Sequence, residues 1–132
     1  DGNGDCLDFS GSKVEIDNVL VNNAGDKAFS IGEQSELSIN KSGVHIANIA
    51  IAVKDLSVAK LKGTTISHSK YGLTAFQKKP EFGSGTIFAD NLKMIKVSFP
   101  YLKEKESFIS VDSEEIKSEY SNVRSILYSS FK

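Results

Sequence analysis

The chain has 132 residues, 39% of them hydrophobic, and its 16 Lys plus Arg against 17 Asp plus Glu give a formal net charge of −1. That is the length of one domain with a modest core, and the balanced, interspersed charge offers no basic stripe to track nucleic-acid phosphates. No apolar run approaches the roughly 20 residues needed to cross a bilayer, so neither nucleic-acid binding nor membrane spanning is expected.

The first residues, "DGNGDCLDF", carry neither an initiator Met nor a signal peptide, and the chain is expected to be a mature or excised piece of something longer. Cys6 is the single cysteine, which excludes an internal disulfide framework and a CxxC metal site and predicts a small buried or half-buried thiol. From Cys6 the stretch "CLDFSGSKVEI" alternates apolar and polar residues, breaks at Ser-Gly-Ser and alternates again.

That pattern recurs along the chain. Leu7, Phe29, Ile51 and Leu73 are each 22 residues apart, and Phe9, Ile31, Val53 and Ala75 repeat the interval two residues on. A second series runs Val14, Leu37, Ala59, Ile87 and Ile109 with Ile16, Ile39, Leu61, Ala89 and Val111; its interval stretches to 28 across the insertion "QKKPEFGSG". A third joins Val19, Val44, Thr64 and Leu92 to Val21, Ile46, Ile66 and Met94. Each member is a pair of inward apolar residues around an outward one, too short to bury a face unless its neighbours stack on it. A fixed period of this length, with strands and no helices between them, predicts an all-β parallel solenoid with coils of about 22 residues and three strands per coil. An antiparallel sandwich also uses many short strands, but hairpin pairing does not require apolar identity at one interval.

The corners agree. "GSK", "GEQS" and "KDLS" fall at one, and "NNAGD", "ANI" and "SHSKYG" at another, with Asn23 and Asn48 expected as corner residues because Asn and Gly tolerate positive φ.

The 22-residue three-strand coil, the "GD" pairs at 4–5 and 25–26, and the run "KDLSVAKLKGTTISHSKYGLTAFQKKPEFG" resemble the right-handed parallel β-helix of the pectate-lyase-like superfold over residues 4–112. More narrowly they resemble β-helix segments of large bacterial surface or secreted proteins, sometimes found alongside modules of the spore-coat protein H type. The resemblance implies an extracellular or cell-surface setting. It does not choose an activity, because the superfold hosts lyases, glycoside hydrolases, epimerases, adhesins and spacers alike.

Enzymes of this superfold place their acids and bases on the outer face of one stacked sheet. The outward rows expected beside the Leu7 ladder are Cys6, Ala28, Ala50, Gly72 and Asp8, Ser30, Ala52, Thr74, in which Asp8 is the one carboxylate. A hydrolase needs two carboxylates and a lyase needs a base beside groups that neutralise a uronate, and neither set is assembled there. Asp5, Asp8 and Asp26 form a candidate Ca²⁺ site at the edge of the face, against the simpler reading that Asp5 and Asp26 bond turn amides. His45 is expected to face solvent and His68 to lie in a corner, without partners for a triad.

The insertion interrupts the repeat and mixes Lys78, Lys79 and Glu81 with Phe76, Phe82 and nearby Tyr71, a combination suited to stacking on and hydrogen-bonding sugars. The small residues Ala28, Ala50, Ser30 and Ala52 make the adjacent sheet smooth, fit for an extended polymer, another protein surface or the chain's own tail.

Residues 1–112 are assigned to the β-helix and 113–132 to an amphipathic capping helix, with Asp112 as N-cap, Glu115 three residues on, and Ile116, Tyr120, Val123 and Leu127 at helical spacing. The N-terminal end has no comparable cap, which predicts a preceding domain or end-to-end self-association. The expectation is a non-catalytic module that scaffolds or binds carbohydrate, its partners being polysaccharide or flanking domains of the same parent protein. The alternative is a fragment of a polysaccharide lyase, hydrolase or epimerase.

Overall fold

A computed structural model describes residues 6–79 and 83–129 and shows a parallel β-solenoid of about five coils. The first coil holds β1 (Leu7–Ser10), β2 (Lys13–Asp17) and β3 (Leu20–Asn22); the second begins with β4 (Lys27–Gly32) and β5 (Glu36–Asn40). From there the third strand of one coil runs into the first strand of the next, giving the long strands β6 (Gly43–Lys54), β8 (Thr65–Phe76) and β10 (Lys93–Lys103). Between them lie β7 (Val58–Lys62) and β9 (Thr86–Asp90), and β11 (Phe108–Val111) and the short β12 (Glu114–Glu115) follow. One sheet stacks β1, β4, β6, β8 and β10, with β3 also against β6; the other stacks β2, β5, β7, β9, β11 and β12. All pairings are parallel except that of β12 on β11.

The register follows the sequence interval. Leu7 pairs with Phe29, Phe29 with Ile51, Ile51 with Leu73, and Leu73 with Tyr101. Val14, Leu37, Ala59, Ile87 and Ile109 form a second continuous ladder across the other sheet. Phe29, Ile51, Leu73, Ile87 and Ile109 are fully buried in one core cluster between the sheets.

The third series is shifted from its expected alignment. Val21 pairs with Val44, Ile66 and Met94, not with Ile46, and Gly43 N–H bonds to the Val19 carbonyl at 2.9 Å, so Ser42 lies level with Val19. Ile46 instead turns a corner at φ 67° and is 43% exposed. The equivalent corner in other coils is turned by Asn23, His68 and Lys96, all with positive φ. A second corner uses Asn18, Lys41, Gly63, Asn91 and Asp112 in the same conformation. Asn48, expected at a corner, lies within β6 and Ile46 takes that role.

One outward row is also reversed. Ala28 and Ala50 are fully buried in the core cluster, Cys6 packs against it, and a Cβ at Gly72 would press on Met94 and the Pro100 carbonyl. The strand pairing skips Ala28, Ala50, Gly72 and Pro100. The strands bend there, so two adjacent residues face inward; Pro100, which has no N–H to give, is tolerated at this break.

Buried serines complete the backbone pairing where the ladder turns. Ser12 N–H donates to Ser35 Oγ at 3.1 Å, Ser35 N–H to Ser57 Oγ at 3.0 Å, and Gly85 N–H to Ser107 Oγ at 3.2 Å. Gly85 stands where this stack has serine elsewhere, and a Cβ there would overlap the Val53 carbonyl.

The tail closes the far end differently from expectation. Asp112 is a corner residue at φ 49° whose Oδ1 accepts the Asn91 N–H at 2.8 Å, and the chain then makes the β11–β12 hairpin. Ile116 packs against the core, and the Lys103 side chain, 1% exposed, ion-pairs with Glu115 and Glu119 at 3.9 and 3.4 Å. The helix α1 covers Val123–Ser129, about ten residues later than predicted, with Asn122 Oδ1 capping the Ser125 N–H at 3.0 Å.

Two substitutions separate the core from the corner. Ile51→Ala should lower the free energy of unfolding by about 2–5 kcal/mol in denaturant titration. Ile46→Asn should raise it by about 0.5–1 kcal/mol, because left-handed backbone strains a β-branched side chain and suits Asn. A loss with Ile46→Asn comparable to that with Ile51→Ala would contradict the corner assignment.

Candidate functional site

The outer face of the β1–β4–β6–β8–β10 sheet is roofed by the chain itself. Val123 and Leu127 of α1 are fully buried against Ile49, Ala52, Tyr71, Phe76 and Leu102. Ala52 lies beneath this helix, and Ser30 and Thr74, level with it, are also buried, so the tail is the expected occupant that lies against this smooth row. Glu104 ties the arrangement: Oε2 accepts the Val123 N–H and Oε1 the Gln77 N–H, both at 2.9 Å, joining helix and insertion to the last coil.

This roof redistributes the residues proposed for ligand binding. Phe76 is enclosed beneath the Tyr128 ring, 6.4 Å between centroids, and Tyr71 is buried and stacked on Phe99 at 5.3 Å, so neither ring offers a free face across the insertion. Glu81 and Phe82 lie outside the described residues, as does Asp5. Asp8 is exposed and level with Ser30, whereas Asp26 lies four residues before Ser30, roughly 13 Å along an extended strand. Asp26 Oδ2 bonds Lys27 Nζ at 2.9 Å, and among the described residues no three acidic, His or Cys side chains are grouped to hold a metal ion. His45 Nδ1 lies 2.8 Å from Ser67 Oγ and its ring meets the His68 ring edge-on at 5.0 Å.

Lys27 and Lys78 both place an ammonium over the Tyr128 ring, at 4.9 and 5.3 Å. Burial alone would lower the Lys27 pKa, but its hydrogen bond to Asp26 and its contact with Tyr128 outweigh that and hold it above the ordinary lysine range. Burial, and then the Asp112 carboxylate, push the Tyr101 phenol upward.

Two of the open surfaces among the described residues gather polar side chains. The first is a small cleft at the corner between the sheets, lined by Asp8, Ser30, Glu33, Lys54, Asp55, Lys78 and Lys79 among others. Here Lys78 and Lys79 do come together with Asp8, as members of one polar cluster. Lys54 Nζ donates to Ser30 Oγ at 2.6 Å, and Glu33 accepts from Ser10 and Lys79.

The second is the outer face of the other sheet, which no segment of the described chain covers with a helix. Its outward rows place Lys60 between Ser38 and Phe88, and Lys62 between Asn40 and Asp90. Phe88, 42% exposed, packs its ring against Phe108 at 5.4 Å. Shallow depressions along this face are lined by Glu36, Ser38, Lys60 and Phe88. Phe88 was missed from the sequence, although it is the outward residue between inward Ile87 and Ala89 and the same alternation identifies it.

Together these features define a parallel β-solenoid with one sheet partly roofed by its own tail and the other without a helix over it among the described residues. Comparison with protein-family models, curated proteins and solved structures finds no match to the chain. No helix among the described residues is long and apolar enough to cross a membrane.

The shifts at Lys27 and Tyr101 predict an alkaline limit. The unfolded chain releases these protons near their ordinary values of 10.5 and 10.0 while the folded chain retains them, so their stabilisation is full below about pH 10 and is lost as pH rises further. Denaturant midpoints should be flat up to that point and fall above it, and Lys27→Met with Tyr101→Phe should flatten the fall. An unchanged slope in the double variant would show that other groups set the limit.

Proposed function

We propose that this chain is a non-catalytic module of a cell-surface or secreted protein, a rigid solenoid that binds an extended polysaccharide along the open β2–β5–β7–β9–β11 face. The observation that carries this reading is the exposed Phe88 ring, packed on the half-buried Phe108 ring, beside rows of outward Ser38, Asn40, Lys60 and Asp90. Sugar rings present apolar C–H faces and polar edges, and a flat face combining an aromatic platform with alternating donors and acceptors meets both. Five parallel strands give a track roughly 19 Å across the strands, enough for several sugar residues. The balanced charge on the rows favours no strongly acidic polymer over a neutral one. The extracellular setting is supported by the resemblance of the coil to surface and secreted β-helices.

Affinity electrophoresis through gels containing neutral and acidic polysaccharides tests this. Retention by at least one polymer is expected, and Phe88→Ala with Lys60→Ala should weaken it by about tenfold or more. Both side chains face solvent, so the melting temperature should hardly move. Equal retention of a folded double variant would remove this face from binding, and no retention by any polymer would leave scaffolding alone. Turnover of any of these polymers would contradict the non-catalytic assignment.

A further inference from the structure

We infer that the polymer recognised on the open sheet carries isolated anionic sugars separated by neutral ones, and that Lys60 and Lys62 together bind the isolated charge. This rests on the polysaccharide reading of that face and adds its substrate class. Lys60 and Lys62 are alternate residues of β7, so both side chains leave the same face with their backbones about 7 Å apart, near enough to close on one anion. Both are exposed, and among the described residues neither ammonium is engaged in an ion pair. Lys62 stands level with Asp90 on β9 without closing a bridge to it.

The charges around this pair decide how many anions the face accepts. The ammoniums of Lys60 and Lys62, less the carboxylate of Asp90, leave a net single positive charge, which one carboxylate or one sulfate ester balances. Two strands away on β2, about 10 Å along the same outward rows, lie Glu15 and Asp17. Lys13 does not offset them, because it pairs with Glu36 at 3.7 Å. Between the acidic and the basic strands stand Ser38 and Asn40, which offer hydrogen bonds and no charge, and beyond Lys60 in its row lies the Phe88 ring.

A chain laid across the strands therefore meets carboxylates, then neutral polar groups, then ammoniums, then an aromatic platform. Strands are about 5 Å apart, close to the length of one sugar, so successive sugars fall on successive strands. An anionic sugar at β7 is attracted, a neutral one suits Ser38 and Asn40 or the Phe88 ring, and an anionic one at β2 is set against Glu15 and Asp17. A polymer charged on every sugar loses at β2 what it gains at β7. One whose charges are spaced by neutral sugars does not.

Affinity electrophoresis reads this preference with two sparsely charged polymers and their uncharged counterparts: gellan, whose uronates are separated by neutral sugars, against carboxyl-reduced gellan, and furcellaran, a sparsely sulfated galactan, against its desulfated form. At least one charged form should be retained about tenfold more strongly than its counterpart, and which pair responds identifies the anion. Polygalacturonate, charged on every sugar, should be retained less than that polymer. Lys60→Met with Lys62→Met keeps the aliphatic stems and should bring the charged and uncharged forms to equal retention, whereas Phe88→Ala should weaken both forms and keep the preference. Glu15→Gln with Asp17→Asn should raise retention by polygalacturonate. The inference is overturned, with the polymer track left standing, if charged and uncharged forms are retained equally by the parent chain, if the preference survives in the folded lysine double variant, or if polygalacturonate is retained most. Retention by none of these polymers or neutral ones overturns the track and this inference together.

Discussion

The structure depends on the backbone ladder between coils. Each strand is three to six residues long where it pairs singly and has no hydrogen-bonding partner within its own coil, so its N–H and C=O groups are satisfied by the coils above and below. This forces equivalent residues to recur at nearly constant spacing, and it forces the corners to recur as well. Corner conformations consequently repeat in columns, even where the residue is Ile46, His68 or Lys96 and pays local strain for its place. Extra residues can enter only where the ladder is already broken. The insertion does so at a corner, and the stack is restored after it by Gly85, whose lack of a side chain lets the backbone pass against the Val53 carbonyl.

The same constraint explains why the two sheets differ on their outer faces. A seven-residue helix does not persist on its own, since nucleation consumes most of what so few hydrogen bonds return. It is held because Ala52 leaves room for Val123 and Leu127, which pack on Ile49, Tyr71, Phe76 and Leu102, and because Glu104 supplies an acceptor to the Val123 N–H. Lys103, on the neighbouring position of the same strand, turns the other way and is neutralised under the tail by Glu115 and Glu119. Adjacent residues of the last coil thus anchor the end cap and the side roof, while the other sheet keeps its outward side chains clear of that helix.

Regular spacing made the central ladders readable from the sequence: Leu7, Phe29, Ile51 and Leu73 are level because no insertion separates them. Alternation failed wherever the chain bends. It cannot distinguish Val44 from Ile46 as the inward residue when both are apolar, and it cannot register that Ala50 and Ile51 both face inward at a bend. The tail misled for a related reason. An Asp followed three residues later by Glu is a helix-start pattern in isolation, but the ladder had already committed Asp112 to a fifth turn of the same corner column. Local signals were overruled by the long-range pairing.

The candidate sites show the limit more sharply. Lys78 and Lys79 were visible as an interruption of the repeat, yet their placement depends on Asp55, whose Oδ1 accepts both of their backbone N–H groups and which reads in the sequence only as part of a "KDLS" corner. Counting by coils brings the set together: Asp8 is level with Ser30, Glu33 is 22 residues before Asp55, and Asp55 is 23 before Lys78. A solenoid therefore assembles a polar cluster from residues that share a column, each unremarkable within its own turn. Its chemistry becomes legible when outward and corner columns are read across coils, as the inward columns were.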